Sequence, residues 1–263
     1  MGLDPKARRE LLESDRFYFE LNARKQRVGP FQLAWLSGLE DLPAGAVCHQ
    51  VVRDEVMGGS AEIKKCLQEI EHRFSGFQNP MVRIYGGNSQ SLTQVMLQRG
   101  YQCREEVVYA RTQGARSDRR GVQLRPVREE GEWQQKLSLH AESDSFVDGH
   151  SYSPASWVAL EKARAETGCV KFYLIEQDGK LHGTVGLMRI GSALRVKNLF
   201  LRPDSRGRGL GAATLARIFD RINGSDTRAA GVVALRREPA EGFYRACGMN
   251  EIGTLVEWTR KLI

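Results

Sequence analysis

The sequence predicts an α+β protein built as two tandem domains of related pattern, and three observations predict it. A chain of 263 residues is large for one compact domain and comfortable for two of about 120–150 residues. The stretch ARTQGARSDRRGVQL, residues 110–124, is polar and Gly-containing between two apolar-patterned regions, so it reads as a linker. The tails of the two halves, MVRIYGGNSQSLTQVMLQRGYQCREEVVYAR and VVALRREPAEGFYRACGMNEIGTLVEWTR, repeat one order: strand, helix, Gly, and a strand ending in Arg. These place a first domain at residues 1–112, a linker at 113–121 and a second domain at 122–263.

The N-terminal stretch MGLDPKARRELLESD is charged throughout and lacks the apolar core of a secretory signal. The opening Met-Gly is not a myristoylation signal, because position 6 is Lys6 where a Ser or Thr is needed. Anchoring Gly100 on Gly248 gives an offset of 148 residues. Without a gap, that offset lays Leu67 on Leu215, Ile70 on Ile218, and VVRDEVMGGSAEIKKCLQEI over LFLRPDSRGRGLGAATLARI. We read a tandem duplication whose copies have diverged. Gly207 keeps a partner in Gly59, but Arg208, Gly209 and Gly211 fall opposite Ser60, Ala61 and Ile63, and Tyr244 falls opposite Met96. The first copy is expected to lack the chemistry of the second, and to pack against it and wall an acceptor site.

Composition narrows the class. An apolar content of 41% and a charged content of 27% are those of a soluble globular protein, and no window approaches ~18 uninterrupted apolar residues. The five cysteines are scattered without a CxxC pair, which argues against zinc and against a disulfide framework, and a reducing cytoplasm is expected. The net charge is +7; residues 1–116 carry 16 basic and 14 acidic side chains and the remainder 23 and 18, so the excess is mostly C-terminal. It suits a solvated surface or an anionic partner, either a phosphorylated cofactor or RNA.

In ALRVKNLFLRP, Leu194 and Val196 alternate with Arg195 and Lys197, the pattern of a half-buried strand. The alternation slips by one at Asn198 and resumes at Leu199 and Leu201, which predicts a β-bulge. Downstream, Leu215, Ile218, Phe219 and Ile222 recur at i, i+3, i+4 and i+7, an amphipathic helix starting near Leu210. Between them RPDSRGRGLGAAT places three glycines at a helix start. There, unpaired N–H groups meet the positive end of the helix dipole and phosphate oxygens can approach bare backbone. A Walker loop fails because Ala212 and Ala213 stand where GK[ST] is required, and a dinucleotide fingerprint expects a fully buried strand upstream.

The remaining pattern, [RQ]xxGx[GA], is met by Arg206, Gly209 and Gly211, preceded by LxLxP at Leu199, Leu201 and Pro203. Here the second half resembles the GNAT superfamily of acyl-CoA-dependent N-acyltransferases over roughly residues 122–263. The first half resembles a degenerate copy, an architecture similar to mycothiol synthases. The resemblance implies two tandem domains, each a mixed, mostly antiparallel sheet flanked by helices, with a V-shaped cleft between central strands. It implies acetyl-CoA or another acyl-CoA as co-substrate and no metal. The pantetheine arm would pair with Leu199, Phe200 and Leu201, and the pyrophosphate would rest on the amides of Arg206, Gly207, Arg208, Gly209, Leu210, Gly211 and the adjoining Ala212. A freed N–H near Leu201 would polarise the thioester carbonyl.

In REPAEGFYRACG, Pro239 suits a first helical turn, Glu238 and Glu241 suit its dipole, and Gly248 ends the helix. Phe243 and Tyr244 point about 100° apart, so one can face the core and the other a cleft. The resemblance makes Tyr244 the general acid that protonates the leaving thiolate. Many family members carry an Asn where this chain has Arg237, which puts the cofactor contact usually made there in doubt. The base is left open among His140, Asp144, Asp148, His150 and Glu176, or a water chain. The expected function is transfer of an acyl group to a small-molecule amine. The alternatives are a transferase whose donor or acceptor is tRNA-borne, and a CoA-binding module without catalysis.

Overall fold

A computed structural model of the chain describes residues 2–37, 48–52, 59–75, 81–85, 89–112, 121–142, 154–222, 226–237 and 239–261. Most of the expected linker, residues 113–120, lies outside them, as do Asp144, Asp148, His150 and Glu238. From the N-terminus come α1 (Pro5–Leu12), α2 (Ser14–Glu20), β1 (Arg24–Val28), β2 (Phe31–Trp35) and β3 (Cys48–Val52). Then follow α3 (Ser60–Phe74), β4 (Met81–Tyr85), α4 (Gln90–Gln98) and β5 (Gln102–Arg111). The second half runs β6 (Gln123–Pro126), α5 (Glu130–Ala141), α6 (Pro154–Ala165), β7 (Val170–Gln177), β8 (Lys180–Ile190) and β9 (Ala193–Leu201). It closes with α7 (Leu210–Ile222), β10 (Ala229–Leu235), α8 (Pro239–Ala246) and β11 (Asn250–Lys261).

The chain forms two compact units, each drawing on both halves. The first comprises Met1–Ser14, Val107–His150 and Arg164–Gly253; the second comprises Asp15–Glu106, Ser151–Ala163 and Thr254–Ile263. In the first unit the strand order is β5-β10-β9-β8-β7-β6, with β6 to β9 antiparallel to their neighbours and β9 parallel to β10. In the second it is β1-β2-β3-β4-β11, antiparallel except for the parallel pair β3/β4. Each unit thus completes its sheet with strand residues from the other half of the sequence, β5 from Val107 onward in one and β11 from Thr254 onward in the other.

Local chemistry accounts for the elements that matter to the site. Helix α7 buries Leu215, Ile218, Phe219 and Ile222 against Val185, Val196, Ala230 and Val232 of the sheet, the apolar stripe expected from its spacing. Helix α3 does the same in the second unit with Ile63, Leu67, Ile70 and Phe74 over Leu33, Val82 and Ile84. Leu67 and Leu215 are both fully buried, as are Ile70 and Ile218. Gly100 and Gly248, the anchors of the 148-residue offset, both follow a helix at φ +76° and +75°, the left-handed turn that glycine adopts without a Cβ clash.

One expectation fails. Arg195 and Lys197 were expected on the open face of a half-buried strand, yet only 3% and 9% of their surfaces are exposed. Both faces of the first unit's sheet are covered: α7 lies on one, while α1 packs on β9 and β10, and α5 on β8. Alternation of polarity reports the two faces of a strand, not that the polar face meets water.

Candidate active site

The site is built at the end of β9. Residues Ala193–Arg195 of β9 pair with Ala229–Gly231 of β10, and the register stops there, although β9 continues to Leu201 and β10 to Leu235. The two parallel strands therefore part after Arg195 and open a cleft inside the first unit. On its other side β9 stays paired with β8, but three steps of β9 (Lys197 to Phe200) span two steps of β8 (Gly186 to Thr184). That extra residue is the bulge that the phase slip at Asn198 predicts. Asn198 sits at φ +50°, and Asn tolerates the left-handed region better than other side-chain-bearing residues do.

Two glycines of β8 bracket the bulge, and neither was singled out from sequence. A Cβ on Gly183 would lie 2.1 Å from the carbonyl oxygen of Phe200, and one on Gly186 would lie 2.8 Å from the ring of Phe172. Their need is close approach of backbone and ring, not a turn.

Past Leu201 the chain makes a short 3₁₀ turn, Pro203–Ser205, and then the glycine loop. Gly207 and Gly209 lie at φ +71° and +78°, where a Cβ costs about 1–2 kcal/mol. A Cβ on Gly207 would meet nothing within 4 Å; what demands glycine is the backbone angle, and the surface it leaves is bare peptide. Gly211 differs: its added Cβ would press on the Phe243 ring at 3.0 Å, so here glycine seats α7 against α8. The first α-helical bond runs from Ala213 N–H to Gly209 O at 3.0 Å. The amides of Leu210, Gly211 and Ala212 precede it, and such first-turn N–H groups have no intrahelical acceptor.

The side chains around the loop are less available than sequence implies. The Arg206 N–H donates to Pro203 O at 3.2 Å, and its Nε donates to Leu201 O at 3.0 Å with the guanidinium above the Phe200 ring. Arg206 thus closes the loop onto the strand end, and the cradle begins at Gly207. Arg202 pairs with Glu142 at 3.0 Å and with Asp204 at 3.5 Å. Beneath the loop, buried Ser205 donates from Oγ to Asp204 Oδ1 at 3.0 Å and lies 2.9 Å from His182 Nδ1. Ser205 has one proton to give, so His182 must donate from Nδ1. Isolated His and Ser residues 23 positions apart carry no sequence signal for this pair.

Tyr244 lies on α8, half-buried, with its ring 5.1 Å from that of Phe243 and 6.2 Å from that of Tyr109. Burial pushes its hydroxyl above the usual tyrosine range, the nearby Arg195 guanidinium pulls it back, and Cys247 adds a smaller upward push. Arg195 is the last residue of β9 to pair with β10, and its Nη1 donates to Val196 O at 2.9 Å. Tyr109, contributed by β5 from the first half of the chain, is fully buried beneath the Arg245 guanidinium. Burial, and then the Glu241 carboxylate, raise its hydroxyl. Glu241 Oε2 accepts the Arg237 N–H at 2.9 Å, and Arg237 is held at φ +68°. Arg236 is bound to Glu251 at 2.9 Å.

On the opposite face of β9, the His140 ring lies 5.0 Å from that of Phe200, and His140 Nε2 lies 3.3 Å from Nζ of fully buried Lys136. Lys136 also donates to Thr184 Oγ1 at 2.8 Å. Of the base candidates among the described residues, His140 is therefore beside the strand, whereas Glu176 is held by Arg125 at 2.9 Å on the outer strands.

This geometry has relatives. A family description, the acetyltransferase (GNAT) domain, matches residues 168–249, from the start of β7 through the helix carrying Tyr244. Over these residues, about a third of the sequence, the chain is similar to a GNAT acetyltransferase domain. A Bacillus subtilis (strain 168) protein named "Putative ribosomal protein bS18-alanine N-acetyltransferase" is 28% identical over 83 residues, 31% of this chain and 55% of the relative. The match thus spans about half the length of that curated relative. A GCN5-related N-acetyltransferase from Kribbella flavida shares the fold at a TM-score of 0.66, with 16% identity over 96% of this chain and 95% of that one. A tandem GNAT protein from the clavulanic acid biosynthesis pathway aligns at a TM-score of 0.53 and 10% identity, over 89% of this chain and 78% of that one. The fold of the Kribbella flavida protein is thus shared over almost the whole chain.

Proposed function

We propose that the protein is an N-acyltransferase that moves an acyl group, most simply acetyl, from acyl-CoA to the amine of a small-molecule acceptor. The observation that carries this reading is the junction of parted strands, bulge and left-handed glycine loop within residues 168–249. The residues fit a pyrophosphate-bearing ligand, because Gly207 and Gly209 leave bare peptide beside the first-turn amides of α7, at the positive end of its dipole. Gly207, Gly209, Leu210, Gly211 and Ala212 would hold the pyrophosphate, and the parted edge of β9 through Leu199–Leu201 would take the pantetheine arm. Acyl-CoA supplies a thioester whose thiol has a pKa of roughly 8.5 when released. Tyr244 holds a proton at Oη throughout the neutral range, since burial keeps its hydroxyl above the usual value. It is thus suited to give that proton to a sulfur leaving as thiolate.

The first half of the chain is, in this reading, a degenerate copy that does no acyl transfer. At the 148-residue offset Met96 stands in place of Tyr244 and is fully buried, and Ala61 and Ile63, inside α3, stand in place of Gly209 and Gly211. The test is release of CoA thiol from acetyl-CoA in the presence of an amine panel. Because the B. subtilis relative is named for a protein alanine, the panel includes a peptide with a free N-terminal Ala. Tyr244→Phe keeps both ring contacts and is expected to lose on the order of 10²-fold in turnover. An unchanged rate would remove the acid role, and no rise in melting temperature with CoA would remove the acyl-CoA reading.

A further inference from the structure

Where β9 leaves β10, one carbonyl has to be accounted for. Gly191, at φ +52°, and Ser192 form the two-residue turn between β8 and β9, and the flanking Ile190 and Ala193 are paired. Residues flanking such a turn exchange their backbone hydrogen bonds. Ala193 and Arg195 therefore turn their peptide groups toward β8, and Leu194 and Val196 turn theirs toward β10. The ladder to β10 ends at the Arg195–Gly231 step, so Val196 O is the first acceptor on that edge past its end. Had the register continued, the next donor would be Val233 N–H. Instead Arg195 Nη1 donates to Val196 O at 2.9 Å, from a side chain only 3% exposed. An unpaired strand edge invites re-pairing, and a buried carbonyl needs a donor. The guanidinium meets that need without β10.

The second unit has a matching strand pair that stays closed. It too holds one parallel pair, β3 with β4, each strand followed by a helix as β9 and β10 are. The 148-residue offset lays Cys48–Val51 on Val196–Leu199 and Val82–Tyr85 on Ala230–Val233. There the strands pair at every step, from Cys48 with Val82 to Val51 with Tyr85. The stretch that runs free of β10 in the first unit is thus zipped in the second. Position 195 corresponds to Val47, whose side chain has no donor; Val47 itself lies outside the described residues. Position 198 corresponds to Gln50, and β3 pairs with β2 step for step from His49 to Val52. Two devices accordingly set the open strand apart from the closed one: the bulge on its β8 side and Arg195 on its β10 side.

We propose that Arg195 is a positioning residue for acyl-CoA: by capping Val196 O it keeps β10 from closing on β9 and reserves the edge through Leu199–Leu201 for the ligand. This rests on the acyl-CoA reading above and adds to it the residue that holds the cleft open. The same guanidinium is close enough to act on the Tyr244 hydroxyl, pulling it back toward its ordinary range, so the fork and the proposed acid share one cation.

The test combines hydrogen exchange, resolved at single amides by NMR, with calorimetric titration of CoA into the full chain, on wild type, Arg195→Met and Arg195→Lys. Methionine keeps the length of the stem without a donor, and an apolar side chain of similar size commonly replaces a buried cation without loss of the fold. In the unliganded wild type, Val233 N–H is expected to exchange at least about 10²-fold faster than Gly231 N–H, which still faces the paired part of β9. Equal protection of the two would overturn the inference, and that comparison requires no variant to fold. In Arg195→Met the Val233 amide should become protected and CoA affinity should fall by at least about tenfold. Lysine retains a donor and a charge, so Arg195→Lys should recover most of both properties. A folded Arg195→Met protein whose Val233 exchange is unchanged or faster would overturn the role of Arg195, whatever its affinity. Failure of CoA to bind the wild type would overturn the acyl-CoA reading and the ligand named here. The exchange comparison would still decide whether Arg195 holds the strands apart.

Discussion

Replacing Glu71 by Ala tests how the second unit holds its C-terminal strand. The Glu71 carboxylate is 9% exposed and receives Arg99 through a two-pronged contact, Arg260 at 2.9 Å and Tyr101 Oη at 3.2 Å. Removing one partner of a fully buried ion pair costs about 3–5 kcal/mol. Here the two arginine side chains keep 20% and 32% of their surface, so each can turn partly to water, and the ionic part falls to about 1–2 kcal/mol. Tyr101 is only 3% exposed and has no such escape; its stranded hydroxyl adds about 1 kcal/mol. The expected loss is therefore about 2–3 kcal/mol. Urea unfolding followed by tryptophan fluorescence reports on this unit through Trp35, Trp157 and Trp258. With a slope of about 1.5 kcal/mol/M, the midpoint should fall by about 1.3–2 M. Glu71→Gln keeps an acceptor for Tyr101 and should lose about half as much. An Ala variant whose midpoint moves by less than about 0.3 M, at unchanged slope, would show that the cluster does not hold the strand and would refute the reasoning.

Three further outcomes follow from the first unit. Gly183→Ala sets a Cβ against the Phe200 carbonyl at 2.1 Å and must displace β9 at its bulge; a loss of about 2–3 kcal/mol is expected in thermal melts, along with weakened CoA binding by calorimetry. Arg237→Asn relieves a left-handed φ of +68° while the backbone bond to Glu241 remains; a gain of about 0.5–1 kcal/mol is expected, read as a melting temperature higher by a few degrees. The Glu241 carboxyl is held below its ordinary value chiefly by the Arg237 N–H, then by Tyr109, and that of Glu251 by Arg236. Their folded pKa values lie below the unfolded ones, so the stabilisation is present above about pH 4.5 and is lost as pH falls through the folded values. Melts between pH 3 and 6 should show a shallower acid loss in Glu241→Gln, and parallel curves for variant and wild type would count against it.

The parts of the site legible in sequence share a property: each is set by neighbours along the chain. The phase slip at Asn198, the glycines at 207 and 209, the stripe from Leu215 to Ile222 and the Pro239 start of α8 are local constraints on backbone angle or helical face. Each appears at the expected residue. Illegible were the features set by residues far apart. Tyr109 beside Tyr244, Arg111 against Cys247, and His182 under Ser205 join positions 135, 136 and 23 residues apart. No periodicity encodes such pairs. The buried Arg195 and Lys197 belong to the same class, because their burial comes from what packs on the sheet, α1 on β9 among it, and not from the strand itself.

In the reading proposed above the two halves are diverged copies, and that reading offers a way past the limit, because it compares two solutions of one local problem within a single chain. Where the copies agree, as at Leu67 and Leu215 or Gly100 and Gly248, the residue serves packing or a turn, since both units need it. Where they differ at a buried or lining position, the difference points to something one unit does alone. Glu71 against Phe219, Arg99 against Cys247 and Met96 against Tyr244 are such differences. All three fall around α7 and α8 in the first unit and are replaced by self-satisfied packing in the second. A reciprocal exchange follows from this. Arg111 stacks 5.0 Å from the Phe219 ring, so Phe219→Glu should put a carboxylate within reach of that guanidinium, capture it as Glu71 captures Arg99, and close the groove of about 360 Å³ that Ala212, Ala216, Phe219, Ala246 and Gly248 line. Phe219 is only 3% exposed, so trading its ring for a carboxylate costs more than the new pair returns, and melting temperature should fall while CoA affinity falls by more than tenfold. If the affinity is unchanged in a folded Phe219→Glu protein, the groove is not part of the ligand site, and the differences between the copies reflect drift in packing alone.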